Sequence, residues 1–211
     1  MTPLLTLLAI LGTLAVGAIS PGPSFVLVVR TSIAQSRRDG LAAALGMGAG
    51  GVVFAALALL GLQALLMQAA WLYLALKLAG GAYLLYLASK LWRAAGEPIA
   101  VGVNSNATEV RPGRSFLMGL MTQLSNPKTA VVYASIFAAW LPAQPQLWLV
   151  LALPPLVFAV EAGWYTAVAL LFSSPRPRSV YLRSRRWIDR TAGAVLGALG
   201  VRLILEGARP A

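Results

Sequence analysis

Residues 3–29 read PLLTLLAILGTLAVGAISPGPSFVLVV, a run without one charged side chain, interrupted near its end by Ser20-Pro21-Gly22-Pro23. Crossing the hydrocarbon core of a bilayer takes about 20 predominantly apolar residues, so the run is long enough to span even with a break in it. No Lys or Arg precedes Arg30, so the segment lacks the charged start of a signal peptide, and it is too long for the apolar part of one. It reads as a retained helix. Five further apolar runs follow at 40–67, 71–92, 116–141, 147–173 and 189–206, the last being short, with Arg202 and Glu206 at its far end. The sequence therefore predicts an all-α integral membrane protein of six transmembrane helices.

Composition points the same way. Of 211 residues, 59% are hydrophobic and 11% charged, and the mean hydropathy is +0.77. A soluble domain carries roughly 25% charged residues, so this chain lacks the polar side chains to coat a globule in water. It contains no cysteine and no histidine, which excludes disulfides, thiolate chemistry, histidine metal sites and a histidine base. No cofactor is implied. The net charge of +11 would suit a nucleic-acid binder, but the basic residues fall in three segments between apolar runs: Arg30 to Arg38, Lys90 to Arg114 and Arg176 to Arg190. That is the positive-inside pattern. The expected partner is the lipid bilayer, not nucleic acid. Placing these loops in the cytoplasm puts both termini outside.

One connection is long and polar, 95–114, with Gly96, Pro98, Gly102 and Asn104. It divides a single transmembrane domain, 1–211, into halves 1–94 and 115–211 of three helices each. An odd number of helices per half forces the second to insert inverted relative to the first. Inverted repeats recur in secondary transporters, with substrate sites at broken helices near the midplane. Traces of such a repeat are visible. The first helix of the second half is also broken, at Ser125-Asn126-Pro127-Lys128, and aligning Pro23 with Pro127 pairs two apolar continuations. The third helices begin alike, Lys77-Leu78-Ala79-Gly80 against Arg190-Thr191-Ala192-Gly193, while the middle helices align poorly.

Proline removes a backbone donor and clashes with the preceding turn, and glycine adds freedom, so both helices 1 and 4 should unwind or kink at these points. In hydrocarbon, freed carbonyls survive only where buried in protein or lining a wet cavity. Counted from the cytoplasmic ends, both breaks lie about ten residues deep, or roughly 15 Å at the helical rise, near the middle of the core. Two ionisable residues join them. Lys128 lies at the second break, and Glu161 lies inside the fifth run, between Phe158 and Trp164. Such residues cost at least about 2.5 kcal/mol in lipid and usually face a polar interior. A structural ion pair between the two is the plain alternative to a functional role. Lys77, close to the outer surface, is expected to snorkel.

At these residues the chain resembles the LysE/RhtB-type amino-acid exporters over nearly its whole length. The likeness rests on Ser20-Pro21-Gly22-Pro23, Arg38-Asp39-Gly40-Leu41-Ala42-Ala43-Ala44-Leu45-Gly46, Leu76-Lys77-Leu78-Ala79-Gly80-Gly81-Ala82-Tyr83-Leu84, Phe116-Leu117-Met118-Gly119-Leu120, Asn126-Pro127-Lys128 and Asp189-Arg190-Thr191-Ala192-Gly193, in this order. The resemblance implies an inner-membrane amino-acid exporter, not an enzyme, driven by the proton gradient. One departure concerns Gly50-Gly51-Val52, where the family often has an acid after the glycine. Glu161 is then the sole carboxylate deep in the bilayer, which favours a neutral amino acid over a dicationic one such as lysine or arginine.

The expected substrate site is Pro21, Gly22, Pro23, Asn126, Pro127 and Lys128. Lys128 and amides near Gly22 would receive the carboxylate; freed carbonyls and the Asn126 side chain would receive the ammonium. Glu161 is the expected proton carrier. Two other readings stand beside this one. An intramembrane enzyme would need paired carboxylates, a metal cluster or a Ser-Lys dyad, and Pro127 disrupts the register that would align Ser125 with Lys128. A structural or assembly factor would only pack with partners, and Gly46, Gly50 and Gly80 permit tight contacts, within one chain or in a homo-oligomer.

Overall fold

The computed structural model describes residues 2–68, 70–93, 95, 112–173 and 175–208. All but the ends of the expected linker 95–114 lies outside them. Among the described residues the regular structure is wholly α-helical: α1 (Pro3–Ile19), α2 (Pro23–Ala34), α3 (Arg37–Gln68), α4 (Ala70–Arg93), α5 (Pro112–Leu124), α6 (Pro127–Trp140), α7 (Leu147–Phe172) and α8 (Pro175–Gly207). The expected run 3–29 becomes α1 and α2, and 116–141 becomes α5 and α6. The short run 189–206 is the C-terminal part of α8, a helix of 33 residues.

Both breaks are helix starts. Pro23 takes the first position of α2, where its missing N–H would have had no intrahelical partner in any case. Gly22 precedes it in extended conformation, and the axes of α1 and α2 differ by 59°. Pro127 opens α6 in the same manner, behind an Asn126 cap whose Oδ1 accepts from the Lys128 amide at 3.1 Å. Prolines thus end one helix by starting another. Pro154 and Pro155, by contrast, lie inside an unbroken α7.

Among the described residues, three helices are individually long and apolar enough to cross a membrane, at Arg37–Gly61, Leu74–Arg93 and Leu147–Phe172, and the bent α1–α2 pair makes a fourth if it is one span. Large apolar side chains face outward, with Leu60 and Leu147 about as exposed as Trp71 (70%, 72% and 72%). Soluble monomers rarely expose large contiguous apolar patches, and these outward-facing apolar side chains fit a surface that meets lipid.

Helices of one half pack chiefly on helices of the other. Helix α3 runs along α5 and α7, α4 along α8, and α1 and α2 both touch α7, whereas α3 and α4 meet only slightly. Two buried clusters result: one around Ile10, Leu84, Ile136 and Leu196, the other around Phe25, Met47 and Val168. The α3–α5 contact is made by backbone. A Cβ on Gly46 would overlap the Phe116 carbonyl, and one on Gly119 would overlap that of Ala43. Gly50 abuts Gln123 and Gly80 abuts Ser135. These glycines are used inside one chain and give no argument for an oligomer.

Because backbone cannot give way as a side chain can, Gly119→Ala should destabilise the protein by about 1–3 kcal/mol, the usual range for overpacking. Gly12→Ala, with nothing within 4 Å of the added carbon, should cause no loss. Thermal midpoints in detergent compare the two.

Candidate functional site

The two breaks meet. The Lys128 ammonium donates to the Ser20 carbonyl at 2.9 Å and to Ser20 Oγ at 2.8 Å. Ser20 caps the C-terminus of α1, so the cation sits at the negative end of that helix and satisfies an oxygen released by the first break. Its chain passes over Gly22, where an added Cβ would be 3.5 Å from both Cδ and Nζ. Lys128 therefore lies across the opposite break and closes part of its exposed backbone.

Behind this contact runs a chain of buried polar side chains. Asn126 Nδ2 donates to Ser24 Oγ (3.0 Å), Ser24 Oγ to Gln123 Oε1 (2.7 Å), and Gln123 Nε2 to Glu161 Oε2 (3.3 Å). Tyr133 donates its hydroxyl to Glu161 Oε1 at 2.9 Å. None of the five is more than 5% exposed, so the chain is sealed from lipid. A buried carboxylate is costly unless hydrogen-bonded, and here both oxygens have a donor. No ion pair joins Glu161 to Lys128; each is held by neutral groups. The structural ion pair is thus not formed.

Room for Glu161 comes from α3. A Cβ on Gly51 would lie 2.8 Å from the Tyr133 hydroxyl and 3.0 Å from Glu161 Cγ. The absence of a side chain after Gly50 is what lets α7 bring its carboxylate into this place.

Two cavities flank the breaks. One of about 20 Å³ lies among Ser24, Gln123, Tyr133, Glu161 and Tyr165, enough for about one water. The other holds about 480 Å³; its walls are the two breaks, the Tyr83–Leu91 face of α4 and Asp189 of α8. That falls within the roughly 300–1,000 Å³ of small-molecule sites. Ser20, Gly22, Asn126 and Lys128 line both and form the partition between them. All six residues expected at the substrate site, Pro21, Gly22, Pro23, Asn126, Pro127 and Lys128, line the larger cavity, and Glu161 lies on the smaller. Lys77 is not merely snorkelling: its Nζ is 3.5 Å from Glu206, which also accepts from Arg202 at 2.7 Å.

Sequence reasoning passed over Ser24, Gln123, Tyr133, Tyr165 and Asp189. Gln123 carried a usable signal, a polar residue in an apolar run one turn before Asn126. Asp189 was read only as the opening of a helix.

Paired helix breaks meeting at a polar site inside an apolar helical shell are the construction of a membrane translocator. The family model for the LysE type translocator matches residues 15–207, and the chain belongs to that family. It is 35% identical over 195 residues to the threonine efflux protein of Escherichia coli, covering 90% of this chain and 93% of that one. It is 33% identical over 189 residues to the homoserine/homoserine lactone efflux protein of Salmonella typhimurium, covering 86% and 90%. It is also 32% identical over 212 residues to an uncharacterized membrane protein of Escherichia coli, YahN, covering 98% and 92%. No solved structure matches the chain.

A hydrogen bond to a charged group is worth about 1.5–3 kcal/mol, so Tyr133→Phe should lower the unfolding midpoint by several degrees. In a Glu161→Gln background the same change should cost less, because the two residues are coupled through the bond it removes. A double-mutant cycle in detergent measures that coupling.

Proposed function

We propose that the protein exports small neutral amino acids, of the threonine and homoserine kind, across the bacterial inner membrane. The observation that carries this is the convergence of both breaks and Lys128 on a cavity large enough for such a solute. The names of the efflux relatives supply the substrate class. A zwitterion brings a carboxylate and an ammonium. The Lys128 ammonium has three donors and gives two to Ser20, leaving one for the substrate carboxylate. The first turn of α2 carries no side-chain cap, so its amides are a second anion-binding group.

In this reading six spans form two inverted repeats, with α1–α2 and α5–α6 as the broken members, the halves 1–94 and 115–211 as the repeat units and both termini periplasmic. Lys90 lines the wide cavity and belongs to a basic segment, so the cavity opens to the cytoplasm and admits solute from inside, as export requires. Glu161 carries the coupled proton: it lies behind the partition, joined to Asn126 through Gln123 and Ser24, so its protonation changes the donors and acceptors at the break.

Inverted vesicles containing the protein should accumulate labelled threonine under an imposed proton gradient. Lys128→Met and Asn126→Ala should each reduce transport by about tenfold or more at normal membrane levels, as the loss of a charge-assisted hydrogen bond predicts; near-normal rates in both would sink the central site. Glu161→Gln should insert normally yet lose its response to the gradient, and gradient-driven export by that variant would exclude Glu161 as the carrier. Cytoplasm-dependent reporters fused at Asn104 should be active and at Ala211 silent; the reverse pattern would invert the topology.

A further inference from the structure

Glu161 touches two side chains that differ in what they can offer it. Tyr133 donates its hydroxyl to Oε1 at 2.9 Å, and Gln123 donates its amide to Oε2 at 3.3 Å. A carboxylate accepts from both. A carboxylic acid accepts at one oxygen and must donate at the other. Taking up a proton therefore obliges one of the two partners to turn from donor to acceptor.

The chemistry of the partners decides which. A phenol is the stronger donor, and its oxygen is a poor acceptor because a lone pair is drawn into the ring. An amide oxygen is the better acceptor. The surroundings agree. The Tyr133 ring is packed on Phe54 and Phe137, at centroid distances of 5.6 and 6.3 Å, and its hydroxyl stands close to Gly51, where an added Cβ would be 2.8 Å away. Gln123 carries both kinds of group on one amide, and turning it over exchanges its oxygen for NH2 in nearly the same place.

The far end of the chain cannot follow. Asn126 Oδ1 accepts from the Lys128 backbone amide at 3.1 Å, and a backbone N–H only donates. Asn126 therefore keeps its Nδ2 on Ser24 Oγ, at 3.0 Å. Ser24 is where the fixed end meets the movable one. Its hydroxyl now donates to Gln123 Oε1 at 2.7 Å. With the amide turned over, the Ser24 oxygen accepts from both amides, and its hydrogen swings into the small cavity that it lines with Tyr165. Ser24 belongs to the first turn of α2, directly after the first break.

We propose that Gln123 is the positioning residue that carries the protonation of Glu161 to the α2 break, by turning its side-chain amide over. This rests on the reading of Glu161 as the proton carrier and adds the part that moves. The proton binds Oε2 of Glu161, whose O–H donates to the Gln123 oxygen. Oε1 stays the carbonyl beneath the Tyr133 hydroxyl, and the Ser24 hydrogen is released from α5. Loss of the proton returns each bond to the arrangement above. The other ionisable groups acting on Glu161 are Lys128 and Tyr133 of α6 and Tyr165 of α7; α5 meets it with Gln123 and α3 with Gly51.

The test combines infrared difference spectra, acid minus alkaline, with transport, both on the full-length protein in vesicles. The chain has six Asp and Glu in all, so the carboxyl band lost in Glu161→Gln identifies Glu161. Tyr133→Phe should move that carbonyl band to higher frequency, because the bond it removes is on the carbonyl. Gln123→Met should leave the band in place and abolish a side-chain amide difference signal that wild type shows. The same variant should lose its response to the proton gradient, although its Glu161 still takes up the proton. A band unmoved in Tyr133→Phe and raised in Gln123→Met puts the proton on Oε1 and overturns the inference, as does gradient-driven export by Gln123→Met. Should Gln123→Met fail to insert, the band position in Tyr133→Phe decides alone. A wild type without any Glu161 band removes the carrier reading and this inference together, whereas a band with the reversed pattern removes this inference only.

Discussion

The ammonium of Lys128, resting on the Ser20 carbonyl at the end of α1, holds together two helices that proline has cut. Without it the end of α1 would present an unpaired carbonyl, and such a group buried in apolar surroundings costs several kcal/mol. With it, the break in one half is closed by a side chain from the break in the other. The remaining features follow from that join. Asn126 must cap α6 so that Lys128 projects in the right direction, Ser24 must bond Asn126 and Gln123, and Gln123 must reach Glu161. A single contact thus fixes the order of a chain running from backbone to buried carboxylate.

Much of this is legible in the sequence. The runs at 40–67, 71–92 and 147–173 correspond to α3, α4 and α7 because hydropathy alone decides helix length in a bilayer. The breaks were legible because Pro-Gly-Pro and Asn-Pro have one local consequence, the loss of a backbone donor, whatever surrounds them. The paired roles of Ser24 and Gln123 were not legible. Each is a polar residue in an apolar run, and only the crossing of α2 past α5 makes them neighbours. Gly51 is similar: as a sequence feature it looked like a missing acid, but in three dimensions it is the space that Glu161 and Tyr133 occupy. The Lys77–Glu206 contact was not legible for a related reason, since nothing in the Lys77 helix announces Glu206 on α8.

Packing leaves little freedom around the site. Helix α3 touches α5 through glycine against carbonyl, a contact with no side chain to adjust. Rigid backbone contact there sets the distance at which Gln123, on α5, meets Glu161, on α7. The hydrogen bond at 3.3 Å is thus a readout of helix spacing as much as of side-chain chemistry.

The disparity between the two cavities has a consequence for leak. A membrane at rest holds a proton gradient worth about 2.3 kcal/mol per charge for each 100 mV, and any continuous file of water through the protein would dissipate it. On one side of the partition lies about 480 Å³ of space, on the other about 20 Å³. The smaller holds about a single water, so the four residues of the partition, Ser20, Gly22, Asn126 and Lys128, are all that stands between the wide cavity and a one-water space beside Glu161.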